Sequence, residues 1–112
     1  MYNRGEVVDY CLQFDNAYID EPFRDKNYTV IRHKENKKIF AWIFEKDDHI
    51  WVNVKDEPDL LDLMRQFYPS VVPAFHLNKD HWNSIILDGT IPEEVIHDMI
   101  RKSYILTMKK PK

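Results

Sequence analysis

The sequence predicts an α+β domain in which helices pack on one face of an antiparallel sheet. Runs rich in β-branched and aromatic residues follow one another between residues 28 and 54, with apolar residues at helical spacing before and after them. Nowhere does strand alternate with helix in the repeating order that a parallel sheet requires. With 112 residues the chain is read as one domain spanning 1–112, large enough for a single core without metals or disulfides.

The first element opens with Asn3-x-x-Glu6, a capping box, and continues through Val7, Val8, Cys11, Leu12 and Phe14 on one side, which predicts a helix over 3–14. Asp15 to Lys26 are polar and interrupted by Glu21-Pro22, and are read as a loop crossing to the sheet. Tyr28–Arg32 and Ile39–Phe44 then read as two strands of a hairpin whose tip, 33–38, is basic. His49–Val54 alternates so that Ile50, Val52 and Val54 share a face, the third strand of a meander.

Asp56-Glu57-Pro58 offers an acid cap and a first-turn proline, and Leu60, Leu61, Leu63, Met64 and Phe67 predict a helix over 57–67 that Pro69 stops. A loop through Pro73 leads to Trp82–Leu87, a strand ended by the turn Asp88-Gly89. Thr90-x-x-Glu93 repeats the capping-box signature before a long last helix marked by Val95, Ile96, Met99, Ile100, Ser103, Tyr104 and Leu106.

Composition bounds the function. The chain is 44% hydrophobic and 31% charged, with no apolar run long enough to cross a bilayer, so a cytoplasmic protein without membrane attachment is expected. Cys11 is alone and falls on the buried side of the first helix, which favours a structural thiol over a disulfide or a nucleophile. Net charge is −3, yet residues 26–46 carry six basic and two acidic side chains between acidic flanks. Arg32, Lys34, Lys37 and Lys38, with Lys26 and Lys46 nearby, are therefore candidate phosphate contacts, although Glu35 and Glu45 sit among them.

The second candidate is His76-Leu77-Asn78-Lys79-Asp80-His81-Trp82-Asn83. Lys79 joins the expected nucleic-acid contacts, while His76, Asn78, His81, Trp82 and Asn83 form a possible ligand loop; the competing reading is architectural, with Trp82 packed inward and the amides capping backbone groups. His76 and His81 lie five apart, which matches no metal-ligand spacing, and His33, His49 and His97 are scattered. No glycine-rich phosphate loop, nucleophile elbow or partnered base for Cys11 or Ser103 is present, so neither catalysis nor a cofactor or metal is expected. Tyr2, Tyr18, Phe23 and Tyr28 around the first loop leave a protein-partner surface open as a further reading.

Pro69–Ile85, with Lys38-Ile39-Phe40-Ala41 before it and Ser103-Tyr104-x-Leu106 after it, resembles the MmcQ/YjbR-like family, and Tyr10-Cys11-Leu12 and Asn53-x-Lys55-x-x-Pro58 fit the same pattern in order. The resemblance implies a CyaY-like (frataxin-like) fold with two hairpins projecting as a double-wing motif, and DNA binding. It also raises iron binding, for which Glu6, Asp9, Asp15, Asp20, Glu21 and Asp25 would be the acidic region. The expectation taken forward is a monomeric DNA-binding protein that contacts phosphates through the basic hairpin; the alternative is a small-ligand or protein-interaction module centred on His76–Asn83.

Overall fold

The computed structural model describes residues 3–75 and 77–109. Among these residues three helices and six strands follow in the order α1 (Arg4–Leu12), β1 (Ala17–Asp20), β2 (Thr29–His33), β3 (Ile39–Lys46), β4 (His49–Lys55), α2 (Pro58–Phe67), β5 (Val71–Pro73), β6 (Trp82–Ile86) and α3 (Glu93–Thr107). All strands pair antiparallel in one sheet of order β1-β2-β3-β4-β6-β5, so the chain runs as a meander through β4, then sends α2 across to the far edge.

The helices cover one face. Ile31, Ala41, Ile43, Val52, Val54 and Ile85 from the sheet pack in one cluster with Val7 and Cys11 of α1 and Ile96, Met99 and Ile100 of α3. Each of the buried aliphatic side chains contributes about 1.5–3 kcal/mol, which is why the period-2 pattern of β4 and the 3.6-period pattern of α3 point at the same layer. Phe40 and Ala41 are both fully buried despite being neighbours, because the β2–β3 register slips between Ile31 and Arg32 and turns an extra residue inward.

α1 begins as its sequence signature requires: Asn3 Oδ1 accepts from Glu6 N at 2.9 Å and Asn3 Nδ2 donates to Glu6 Oε1 at 2.7 Å. The matching signature before α3 does not form a cap. Thr90 instead places its N–H and its hydroxyl on Asp88 Oδ1, at 3.1 and 2.6 Å, and the helix starts after Pro92. Asp15–Lys26, expected as loop throughout, contains the edge strand β1, whose Tyr18 and Asp20 lie opposite Arg32 and Val30. β5 likewise occupies three residues of the segment read as a loop through Pro73.

The second face of the sheet is covered by loops rather than helices. Val30, Trp42, Asn53 and Ser84 form a cross-strand row on it, since each lies opposite the next. Phe75 stacks on Phe44 with centroids 5.8 Å apart, and Phe23 stacks on Trp42 at 5.0 Å, so segment 21–28 and residues 74–75 close over this row. Val30, Phe44, Asn53 and Ser84 are buried beneath them.

Candidate nucleic-acid interface

The β2–β3 hairpin turns at 34–38, where Lys37 takes a left-handed φ of 63° and Lys37 N donates back to His33 O at 2.8 Å. Its tip is pinned to the end of α3. Asn36 Nδ2 donates to Thr107 O at 2.9 Å, and buried His33 shares a 2.8 Å hydrogen bond between its Nε2 and Thr107 Oγ1. Thr107 has already given its hydroxyl proton to Ser103 O, so Nε2 is the donor. Burial holds His33 below the usual imidazole value, which favours the neutral form.

Beside this turn lies a groove of about 280 Å³ lined by Arg32, Lys37, Lys38, Lys55 and Trp82. Ile39 and Thr107 complete it, so no carboxylate lies among its described lining residues. The register explains the meeting: Arg32 lies opposite Ile39, Lys55 lies opposite Trp82, and the ends of β2 and β4 adjoin the start of β3. Lys37 and Lys38 are exposed, as is Lys34 at the tip. Arg32 is committed elsewhere, with Nε on Asp20 Oδ2 at 2.8 Å and Nη1 on Lys37 O at 2.8 Å, and it sets the turn rather than offering a free charge.

The remaining lysines of the basic segment are not part of this cluster. Lys46 stands at the opposite end of β3, paired with Asp47 and lying 5.4 Å from the Trp51 ring centroid and 5.3 Å from that of Phe75. Lys26 belongs to the same distant end, since its neighbour Asn27 donates to Glu45 O. A run of charge in sequence is thus split by the length of a strand, whereas Lys55, which sequence reasoning left out, is brought in by strand pairing.

The loop before β6 divides likewise. Asn78 is architectural: its Oδ1 accepts from Asp80 N at 2.8 Å and its carbonyl from Trp82 N at 3.0 Å. Asn83 is buried, accepting from Arg65 Nε at 2.6 Å and donating to Leu61 O at 3.1 Å. Trp82, half-buried, goes to the basic groove. Lys79 and His81 are exposed and line a separate cavity of about 410 Å³ with Arg65, Asp62 and Leu61. His76 lies outside the described residues. Arg65 went unnoticed in the sequence, yet it orders this loop, with Nη2 on Lys79 O at 2.7 Å; only its place on α2 facing the loop reveals it.

Among the described residues no three His, Cys, Asp or Glu side chains converge as a metal ion would require. In the acidic N-terminal region Asp20 pairs with Arg32, and Asp25 Oδ1 accepts from Asn27 N. Cys11 is fully buried and burial pushes its thiol up to about 12, far from a nucleophile's range. Phe23 and Tyr28 turn toward the sheet, where both meet Trp42, Phe23 remaining 38% exposed; Tyr28 and Tyr18, the latter on β1, are half-buried. Among the described residues no helix is long and apolar enough to cross a membrane.

Fold and groove together define a small α+β domain with a basic, tryptophan-bearing groove at one end of its loop-covered sheet face. Residues 12–106 match the YjbR family model, and the chain belongs to the YjbR family. It is 31% identical to YjbR of Escherichia coli K12 over 100 residues, covering 89% of this chain and 82% of that protein. It is 36% identical to YyaQ of Bacillus subtilis, covering 96% and 99%. The crystal structure of a Deinococcus radiodurans protein with a DUF419 domain superposes with a TM-score of 0.88 at 29% identity, covering 98% of this chain and 81% of that one. A Pseudomonas syringae crystal structure gives 0.84 at 29% identity, covering 95% and 99%.

Proposed function

We propose that this protein binds nucleic acid, DNA in the first instance, by laying phosphates in the groove beside the β2–β3 turn. The observation that carries the reading is the convergence of Lys37, Lys38 and Lys55 around Trp82 with no carboxylate among the described lining residues, on a chain whose net charge is −3. Anionic surface elsewhere disfavours non-specific adhesion, so a local cluster of this kind is where a polyanion gains most. Trp82 adds an aromatic surface beside the charges, the pairing that nucleic-acid grooves combine. Lys34 at the tip and Lys79 beyond Trp82 are the outlying contacts.

Titrating fluorescein-labelled DNA at low and physiological salt tests this. Three phosphate contacts give a slope of log K against log salt of roughly −3, which Lys37→Glu/Lys38→Glu reduces to near one contact. Absence of binding at low salt would sink the proposal.

The second reading places a small ligand in the cavity where Lys79, His81 and Arg65 meet Asp62 and Asp80. It predicts binding with little salt dependence, lost in His81→Ala and untouched by changes at Lys37 and Lys38.

A further inference from the structure

Three rings stand at the far side of the same sheet face. Phe23 and Trp42 lie near parallel, 25° apart with centroids at 5.0 Å, and Tyr28 crosses both at 6.2 Å, at 78° to Phe23 and 81° to Trp42. With Asp25 they line an open cavity of about 350 Å³ that is otherwise apolar. The indole Nε1 of Trp42 is the one buried polar side-chain atom among the described residues that lacks a hydrogen-bond partner. A folded chain ordinarily satisfies such donors, so this end of the face is incomplete on its own terms.

Position relates this cavity to the basic groove. Trp42 lies opposite Asn53, and Lys55, two residues further along β4, lies opposite Trp82. Side chains two apart on a strand share a face, so Trp42, Lys55 and Trp82 point the same way, with the two rows roughly 7 Å apart along the strands. One short strand of nucleic acid spans both. Asp25 at the cavity rim repels phosphate, so only the uncharged part of a nucleotide suits this end; a flat base presents apolar faces to the rings and amino groups to the carboxylate.

We propose that the pocket of Phe23, Tyr28 and Trp42 takes one unpaired base of a strand whose phosphates lie on Lys37, Lys38 and Lys55, so that the nucleic acid recognised is single-stranded. This rests on the phosphate-groove reading above. In a duplex every base face is covered by its neighbours, and a ring pocket gains nothing without the cost of extruding a base. A single strand offers the base directly.

The test compares fluorescein-labelled oligo(dC) and oligo(rC) of about eight nucleotides with a duplex of equal length, by anisotropy, using wild type, Phe23→Ala, Trp42→Phe and Lys37→Glu/Lys38→Glu. Phe23 is substantially exposed, so its removal leaves the core intact, and thermal unfolding of each variant verifies the fold. Single strands are expected to bind at least tenfold more tightly than duplex, and Phe23→Ala to lose about tenfold on single strands alone. Ribose and deoxyribose strands binding alike places recognition on base and phosphate, as proposed. If both ring variants bind like wild type while the lysine double variant does not bind, the base pocket is overturned and the phosphate groove stands. Equal binding of duplex and single strand overturns the base pocket as well. If nothing binds at low salt, both readings fall.

Discussion

Asn53 and Ser84 face each other across β4 and β6, and between them they hold the loop after β5 against the sheet. Ser84 Oγ donates to Asn53 Oδ1, Asn53 Nδ2 donates to Phe75 O at 2.8 Å, and Phe75 N donates to Ser84 Oγ at 2.9 Å. The ring of three bonds closes on itself with both side chains fully buried. Ser84→Ala removes one hydroxyl and strands two groups at once, Asn53 Oδ1 and Phe75 N. A loss of about 2–4 kcal/mol is expected in urea unfolding, against about 1 kcal/mol if the hydroxyl were a lone bond.

Arg65 plays the corresponding part on the helical side, with one guanidinium reaching Asn83 and Lys79 O. Its contact with Asp62 is exposed on the acid's side and adds little. Arg65→Lys keeps the charge but not the planar fork. Amide hydrogen exchange should accelerate at His81 and Trp82, whose N–H groups depend on the loop's shape, while the β2–β3 turn stays protected.

His33 gives the fold a pH dependence of defined sign. Its folded value lies below the unfolded 6.5, so the unfolded chain binds the proton more readily; the stabilisation is complete above about 6.5 and is lost as pH falls toward the folded value. Asp56, raised by burial against the opposing charge of Lys102, acts with the opposite sign and at lower pH. His33→Gln should therefore flatten the decline of stability just below pH 6.5. A slope unchanged in that variant would assign the decline to another group.

Cys11 should resist modification. With the thiol buried and pushed up to about 12, a thiol reagent at neutral pH is expected to react only at the rate at which the chain opens globally, and urea should accelerate labelling in step with unfolding. Rapid labelling of the native protein would place the thiol at the surface.

Much of the fold is legible because its signals are local. Asn3-x-x-Glu6 caps a helix through atoms three residues apart, and the alternation of Ile50, Val52 and Val54 needs only the pleat to become a core face. Thr90-x-x-Glu93 carries the same signature and fails, because Asp88, two residues before Thr90, takes the hydroxyl first. β1 escaped notice since four residues of edge strand draw their order from β2 rather than from their own composition. The site was half legible. Lys37 and Lys38 stand where their charges suggested, but Lys55 and Trp82 join them through a pairing of segments 27 residues apart in sequence.

That pairing carries a temporal meaning. β6 enters the sheet between β4 and β5 although it follows both in the chain, so as the chain emerges from the ribosome the edge of β4 stays open until residues 82–86 arrive. The meander β1-β2-β3-β4 closes through short connections and forms early; the slower step is the insertion of one late strand into a waiting slot. The basic groove is completed in the same step, since Trp82 is the first residue of that strand. A nascent chain halted before residue 82 would present four strands and an unsatisfied edge, the form most in need of a chaperone, and no assembled groove.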